Sequence, residues 1–135
     1  MHEKWTRWEP IKNLSKHYYV KSISDTFSGG LKIKLIDDRD PEKKVLVSWP
    51  NSVDAYRKTY ETFTLLTLSN IDKQYGENFK GWTFFKIENS EYLKWISEQS
   101  CKITDSFNLK HFCIYSTEEM VDVLSCVEPE VSIIP

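Results

Sequence analysis

The first third of the chain shows short apolar–polar alternations. Residues 31–35 alternate apolar and basic side chains with a period of two, which is typical of a strand buried on one face. Residues 18–23 and 44–49 also have strand composition. The glycines of residues 28–30 predict a turn, because glycine reaches positive φ at no steric cost. The pattern therefore predicts three strands, the last two paired as an antiparallel hairpin around the polar loop 37–42.

Helical spacing follows the third strand, where Asn51 or Ser52 is suited to cap a helix. Large side chains then recur at intervals of three and four, which places them on one helical face. These side chains are Val53, Tyr56, Tyr60 and Phe63. Residues 63–71 fit a helix or a strand. Residues 71–75 fit a helix that ends at Gly76.

A strand over residues 82–87 leads into a second helix, which Asn89 or Ser90 caps. The side chains that share the buried face of this helix are Tyr92, Trp95 and Ile96. Its spacing places most of the aromatic residues of this unit in the core.

A similar unit follows, with a strand over residues 111–115 and the sequence Ser-Thr-Glu-Glu at residues 116–119. This sequence matches a capping box, in which the serine and the last glutamate bond each other's backbone N–H groups. It predicts a third helix, and the residues predicted for its buried face are Met120, Val121 and Leu124. The pattern allows a short final strand at residues 131–134.

The element order is thus β-β-β-α-β-α-β-α, with a final strand allowed. This order predicts one α+β domain over residues 1–135, with an irregular N-terminal arm over residues 1–14. Three helices are expected to pack on one mixed or antiparallel sheet.

Composition narrows the classes of function. A net charge of −2 argues against a dedicated nucleic-acid binder, which needs surplus Lys and Arg. The three cysteines lack the spacing of a zinc site or a disulfide framework, so neither a metal nor a cofactor is predicted. The charged N-terminus has no apolar signal region, and no stretch approaches the roughly 20 apolar residues of a membrane span. We expect a cytoplasmic protein without a membrane partner.

The nearest approach to a catalytic pattern is the pair His111 and Cys113. Both point to the same side of a strand, so a thiolate–imidazole pair is sterically feasible. Phe112 and Ile114 occupy the opposite side, however, as expected of a central buried strand. No glycine lies nearby to build an oxyanion hole. The sequence favours a packing role, and no catalytic residue and no enzymatic activity are predicted.

Charged and aromatic residues supply the alternatives. The loop 37–42 has two interpretations. It is either a solvated hairpin tip or a set of carboxylates that docks on a basic partner surface. Lys32 and Lys34 also have two interpretations. They either protect an edge strand against aggregation or form part of a surface that binds single-stranded RNA. Trp5 and Trp8 either cover one end of the core or anchor an interface.

Four segments resemble a family of small bacterial immunity proteins that accompany polymorphic and contact-dependent growth-inhibition toxins. The segments are residues 8–11, 52–57, 88–95 and 110–123. The resemblance implies a cytoplasmic, non-catalytic protein that binds a cognate toxin C-terminal domain, often a nuclease. It implies no contact residue, because such families vary most where they touch their partners.

Our hypothesis is therefore an immunity protein, with a small RNA-binding or regulatory module as the alternative. Charge and loop placement nominate the partner-binding residues, which are Asp37, Asp38, Asp40, Glu42, Glu88, Glu91, Trp5 and Trp8.

Overall fold

The computed structural model describes residues 2–51 and 53–135, which form nine strands and two α-helices. The strands are β1 (Lys4–Arg7), β2 (Tyr18–Thr26), β3 (Gly30–Asp37), β4 (Lys44–Trp49), β5 (Ala55–Tyr60), β6 (Phe84–Glu88), β7 (Lys110–Tyr115), β8 (Glu119–Ser125) and β9 (Glu130–Ile134). The helices are α1 (Leu65–Tyr75) and α2 (Glu91–Gln99), and 3₁₀ turns occupy Glu61–Phe63, Glu77–Lys80 and Ile103–Ser106.

The strands form two antiparallel sheets, whereas the sequence predicted a single sheet. One sheet has five strands in the order β1-β6-β7-β8-β5, and the other has four in the order β2-β3-β4-β9. The early hairpin was predicted correctly, since β3 pairs with β4 from Leu31–Trp49 to Ile36–Lys44. The α+β class is thus confirmed, in one small domain.

The five-stranded sheet is the middle layer of three. Side chains alternate between its faces, so Phe112 and Ile114 pack with Leu35 and Val47 of the four-stranded sheet. The opposite face carries a second apolar cluster, in which β-strand side chains pack against α1. This cluster contains Trp5, Phe85, Ile87, Cys113 and Met120 together with Leu68 and Ile71 of α1.

The helix predicted over residues 53–63 is wrong, because this segment forms β5. Its backbone pairs with β8 from Ala55–Leu124 to Tyr60–Glu119. The spacing of Tyr56 and Tyr60 suits a helix face, but alternation across a strand also puts both on one side. Ser52, one of the two predicted caps, lies outside the described residues.

The third predicted helix is also wrong. Ser116 Oγ accepts from the Glu119 backbone N–H at 3.0 Å and donates to the Glu119 carbonyl at 2.7 Å. These two bonds close a turn between antiparallel strands, so the residues after it form β8. A serine and a glutamate three residues apart suit both a helix cap and this turn.

The second predicted helix is confirmed as α2. Ser90 Oγ accepts from the Leu93 N–H at 3.0 Å, as an N-cap does. Tyr92 is buried as predicted, but the Trp95 side chain is 55 % exposed. The helix predicted over residues 71–75 is part of α1, which also includes most of the ambiguous stretch before it.

The N-terminal arm was predicted to be irregular, but residues 4–7 form β1 on the edge of the five-stranded sheet. Trp5 lies opposite Ile87 in this pairing. The final strand allowed by the sequence is present as β9.

Candidate functional site

The acidic loop, residues 37–42, connects β3 to β4. The Asp37 carboxylate accepts from the backbone N–H groups of Arg39 at 2.8 Å and Asp40 at 3.1 Å. Burial raises the pKa of Asp37, but hydrogen bonds from the Ser15 side chain and from these N–H groups outweigh burial and hold the pKa below its ordinary value. Asp37 therefore shapes the loop from inside.

The other carboxylates of the acidic loop are more accessible. Asp40 is half-buried and accepts from the Glu42 N–H at 3.1 Å. Asp38 and Glu42 are exposed. Of the four predicted contact residues in this loop, only these two are exposed.

Glu88 and Glu91 lie at the other end of β6 from the acidic loop. The start of β6 is the end nearer the acidic loop. Thr83, just before β6, donates from Oγ1 to the Lys16 carbonyl, and the carbonyl of the next residue, His17, accepts from the Asp38 N–H. Glu88 is the last residue of β6, and Glu91 opens α2. Both are exposed, and Glu91 pairs with Lys94 at 3.3 Å. The predicted acidic contacts therefore form two separate sites.

Trp5 and Trp8 both pack into the molecule. Trp5 is 6 % exposed and contacts the Phe85 ring edge-on. Trp8 is half-buried and lies 5.3 Å from the Phe112 ring centroid. These contacts match the covering role that the sequence left open, and Trp5 has almost no surface left to present.

A buried polar network joins α2, β7, β8 and β5. His111 lies 2.6 Å from Ser90 Oγ through Nδ1 and 2.7 Å from Asp122 Oδ1 through Nε2. Arg57 donates from Nε to Asp122 Oδ2 at 3.0 Å. Of these, the sequence singled out only His111. Ser90 and His111 are 21 residues apart in the sequence, and His111 and Asp122 are 11 residues apart. No local sequence pattern therefore indicates that these side chains are in contact.

This network resembles a hydrolase triad only in composition. In such triads the serine bonds Nε2 and the carboxylate bonds Nδ1, whereas His111 has the reverse arrangement. Ser90, His111 and Asp122 are each 3 % exposed or less. The Ser90 hydroxyl is also engaged as the cap of α2. The arrangement fixes α2 on the sheet.

The Cys113 side chain is fully buried beside Asp122. Burial raises the pKa of its thiol well above the ordinary value, and the Asp122 charge raises it further. A nucleophilic thiol needs exposure and a lowered pKa. The geometry therefore does not support a His111–Cys113 nucleophile.

An exposed apolar cluster lies beside the end of β5. It consists of Tyr60, Phe63 and Leu65, whose side chains are 54 %, 78 % and 64 % exposed. They line a cavity of about 550 Å³ together with Glu61 and Glu118. The sequence missed this surface because the spacing of Tyr60 and Phe63 placed them on one face of a predicted helix.

The apolar cluster and the acidic loop lie at the same end of the molecule. Thr117, which lines the same cavity, donates from its backbone N–H to the Tyr18 carbonyl at 2.9 Å. The neighbouring His17 carbonyl accepts from the Asp38 N–H at 3.3 Å. This end therefore combines exposed apolar side chains with exposed carboxylates.

The outer face of the four-stranded sheet is basic. Lys32, Lys34 and Lys44 project from it, because the alternate residues of β3 and β4 are buried in the core. None of the three forms an ion pair with another described residue. Edge protection by Lys32 and Lys34 is wrong, since β3 has a partner strand on each side.

No protein-family model, curated protein or solved structure matches this chain. Across the described residues, no helix combines the length and apolar character that crossing a bilayer requires. The same residues contain no group of three or more His, Cys, Asp or Glu arranged to hold a metal ion.

Proposed function

We propose that this protein is a cytoplasmic immunity protein, which neutralises a cognate toxin domain by tight stoichiometric binding. The observation that carries the proposal is the exposed apolar cluster, which is bordered by Glu61 and Glu118 and lies at the same end of the molecule as the acidic loop. The family resemblance of residues 8–11, 52–57, 88–95 and 110–123 supports the same class of function.

The composition of this end suits a protein–protein interface. Stable interfaces bury roughly 800 Å² per partner and combine a desolvated apolar centre with a polar rim. Tyr60, Phe63 and Leu65 supply the centre, and Asp38, Glu42 and Glu118 belong to the rim. The partner is a toxin domain with a basic surface, such as a nuclease, whose substrate site the immunity protein covers.

Carboxylates on the rim act mainly on the rate of encounter and on selectivity. Complementary charge accelerates association, and salt screens this effect. Asp38 and Glu42 are the principal electrostatic contacts of the acidic loop, because Asp37 is buried in the turn and Asp40 is half-buried. Glu88 and Glu91 are the alternative contact, at the other end of β6.

The test is to examine whether the upstream gene encodes a large secreted protein with a C-terminal toxin domain, and to measure co-purification with that domain, followed by calorimetry and a growth-rescue assay. Reversal of the acidic loop by Asp38→Lys and Glu42→Lys is expected to weaken binding and flatten its salt dependence. The matched control reverses Glu88 and Glu91, which also changes two exposed carboxylates to lysine and is expected to leave affinity unchanged.

The outcomes separate the surfaces. Loss of binding only in the Glu88 and Glu91 variant would move the contact to the other end of β6. Failure of the wild-type protein to bind or protect against the toxin would refute the proposed function.

A second candidate, a small RNA-associated module, draws on the basic face of Lys32, Lys34 and Lys44. Lysines on a sheet surface can follow a phosphate backbone. Only one exposed aromatic side chain, Tyr19, is available for base stacking among the described residues of β2, β3, β4 and β9. We therefore place this candidate second.

A further inference from the structure

Strand β5 forms an open edge of the five-stranded sheet, with β8 on its inner side. The Glu61 N–H donates to the Glu118 carbonyl at 2.9 Å, in the same register as the β5–β8 pairing. Antiparallel ladders direct the backbone groups of alternate residues toward the partner strand. Arg57 and Thr59 lie four and two residues before Glu61, so their backbone N–H and C=O groups also point toward β8.

The intervening residues Tyr56, Lys58 and Tyr60 direct their N–H and C=O groups away from the sheet. No strand among the described residues pairs with this side of β5. A row of unpaired backbone groups is a template for another strand. Proteins usually protect such an edge with proline, a bulge or projecting charges.

The usual protections are weak at β5. The strand contains no proline, and its pairing with β8 has no break in register. The strand carries two charged residues, which are Arg57, held by Asp122 of β8 at 3.0 Å, and Lys58. The ammonium group of Lys58 is held by Glu119 at 3.0 Å and lies 5.1 Å from the Tyr60 ring centroid. The charge is thus partly neutralised by a group of the same sheet.

The other three edge strands are shorter or irregular. Strand β1 has four residues, β2 has a register shift between Val20 and Ser22, and β9 has five residues and is followed by Pro135. Strand β5 has six residues and continues into the cavity formed by Tyr60, Phe63, Leu65 and Glu118. This cavity provides space for a side chain at the end of an added strand.

We propose that an extended segment of the toxin adds to β5 as a sixth antiparallel or parallel strand of the five-stranded sheet. Its backbone pairs with Tyr56, Lys58 and Tyr60. A lysine or arginine at the end of the segment enters the cavity, where Glu118 supplies the complementary charge. This inference rests on the proposed function and specifies how the toxin is held.

The test is backbone amide hydrogen exchange by NMR on the ¹⁵N-labelled protein, free and bound to the toxin domain. The amides of Tyr56, Lys58 and Tyr60 are expected to exchange rapidly in the free protein and at least about tenfold more slowly in the complex. The amides of Arg57 and Thr59 are expected to be protected in both states and serve as internal controls.

A pair of variants at one position tests the same bonds. Lys58→Pro removes an outward N–H, which an edge strand tolerates, while Lys58→Ala removes only the side chain. Lys58→Pro is expected to bind the toxin about tenfold more weakly than Lys58→Ala, because proline removes one intermolecular backbone hydrogen bond and weakens the adjacent ones. If Lys58→Pro does not fold, the exchange experiment remains decisive.

The outcomes distinguish this inference from the function. Tight toxin binding without protection of the three amides would overturn the added strand and leave the proposed function in place. Absence of toxin binding would overturn both. Protection of the three amides in a dimer of the free protein would assign the edge to a second copy of this chain and overturn the inference.

Discussion

Asp122 links three strands of the five-stranded sheet, which are β5, β7 and β8. Its two carboxylate oxygens accept from His111 of β7 and Arg57 of β5, and His111 reaches Ser90 at the start of α2. An ionised carboxylate only accepts hydrogen bonds, so Nε2 carries a proton, and in the neutral imidazole Nδ1 accepts from Ser90. Each polar group of the network is thereby paired, which is what a buried network requires.

Asp122→Asn is expected to lower the free energy of unfolding by roughly 1.5–3 kcal/mol at neutral pH, the range for hydrogen bonds to a charged group. Burial raises the pKa of Asp122, but the bonds from His111 and Arg57 outweigh it and hold the pKa below its ordinary value. The contribution of the carboxylate is therefore complete above the unfolded-state pKa of about 4 and is lost as pH falls toward the folded-state pKa.

Urea unfolding of the wild type and Asp122→Asn between neutral pH and about pH 3 measures this effect. The difference between the two proteins is expected to be constant near neutrality and to shrink below about pH 4. Asp25→Asn, a change at an exposed carboxylate, serves as the control. A difference that does not depend on pH would contradict the assigned role of Asp122.

The three cysteines differ in accessibility. Cys101 and Cys126 are exposed, whereas Cys113 is buried. We expect a thiol reagent to label the first two rapidly in the native protein and Cys113 only as the protein unfolds. The variant with Cys101→Ser and Cys126→Ser isolates Cys113 for kinetic measurement. Rapid native labelling of that variant would restore a reactive-thiol hypothesis.

At the scale of elements, the same short sequence signals lead to different structures. Ser90 and Ser116 both accept from the backbone N–H three residues later. Ser90 caps α2, while Ser116 closes the turn between β7 and β8. The residues that follow Ser116 can pair on both sides with β7 and β5, and this pairing favours a strand over a local helix.

Ser116→Ala removes two hydrogen bonds from the β7–β8 turn. The expected loss of stability is roughly 1–2 kcal/mol, at about 1 kcal/mol per neutral bond. Far-ultraviolet circular dichroism is expected to show unchanged helix content, because no helix begins at this position. Ser132→Ala, at an exposed strand position, is the control for stability. A loss of helical signal would instead support the capping-box interpretation.

At the scale of the whole molecule, a net charge of −2 conceals surfaces of opposite sign. Exposed carboxylates lie at the end that carries the acidic loop and the apolar cluster. The outer face of the four-stranded sheet carries Lys32, Lys34 and Lys44. This separation allows the molecule to bind a basic partner at one end while it presents a basic face elsewhere.

The double change Lys32→Glu and Lys34→Glu tests the basic face. We expect it to leave toxin affinity unchanged, because the proposed contact lies at the end of the molecule that carries the acidic loop. We also expect the wild-type protein to show no salt-dependent binding to single-stranded RNA in a fluorescence anisotropy titration. RNA binding that the double change abolishes would favour the RNA-associated module.

The sequence by itself determined the elements whose signals are local. The hairpin of β3 and β4 follows from period-two alternation, and α2 follows from a strand, the Ser90 cap and helical spacing. These segments are predictable from the sequence because their backbone bonds are satisfied within the element or by a neighbour close in sequence.

Only the tertiary structure decided what depends on distant pairing. Residues 55–60 became a strand because β8, which lies 59 to 69 residues further along the chain, supplies their hydrogen-bond partners. That pairing exposed Tyr60 and Phe63, left the outer side of β5 open and brought Arg57 to Asp122. Local periodicity cannot report which strand is a neighbour, so neither the exposed apolar cluster nor the polar network was visible in the sequence.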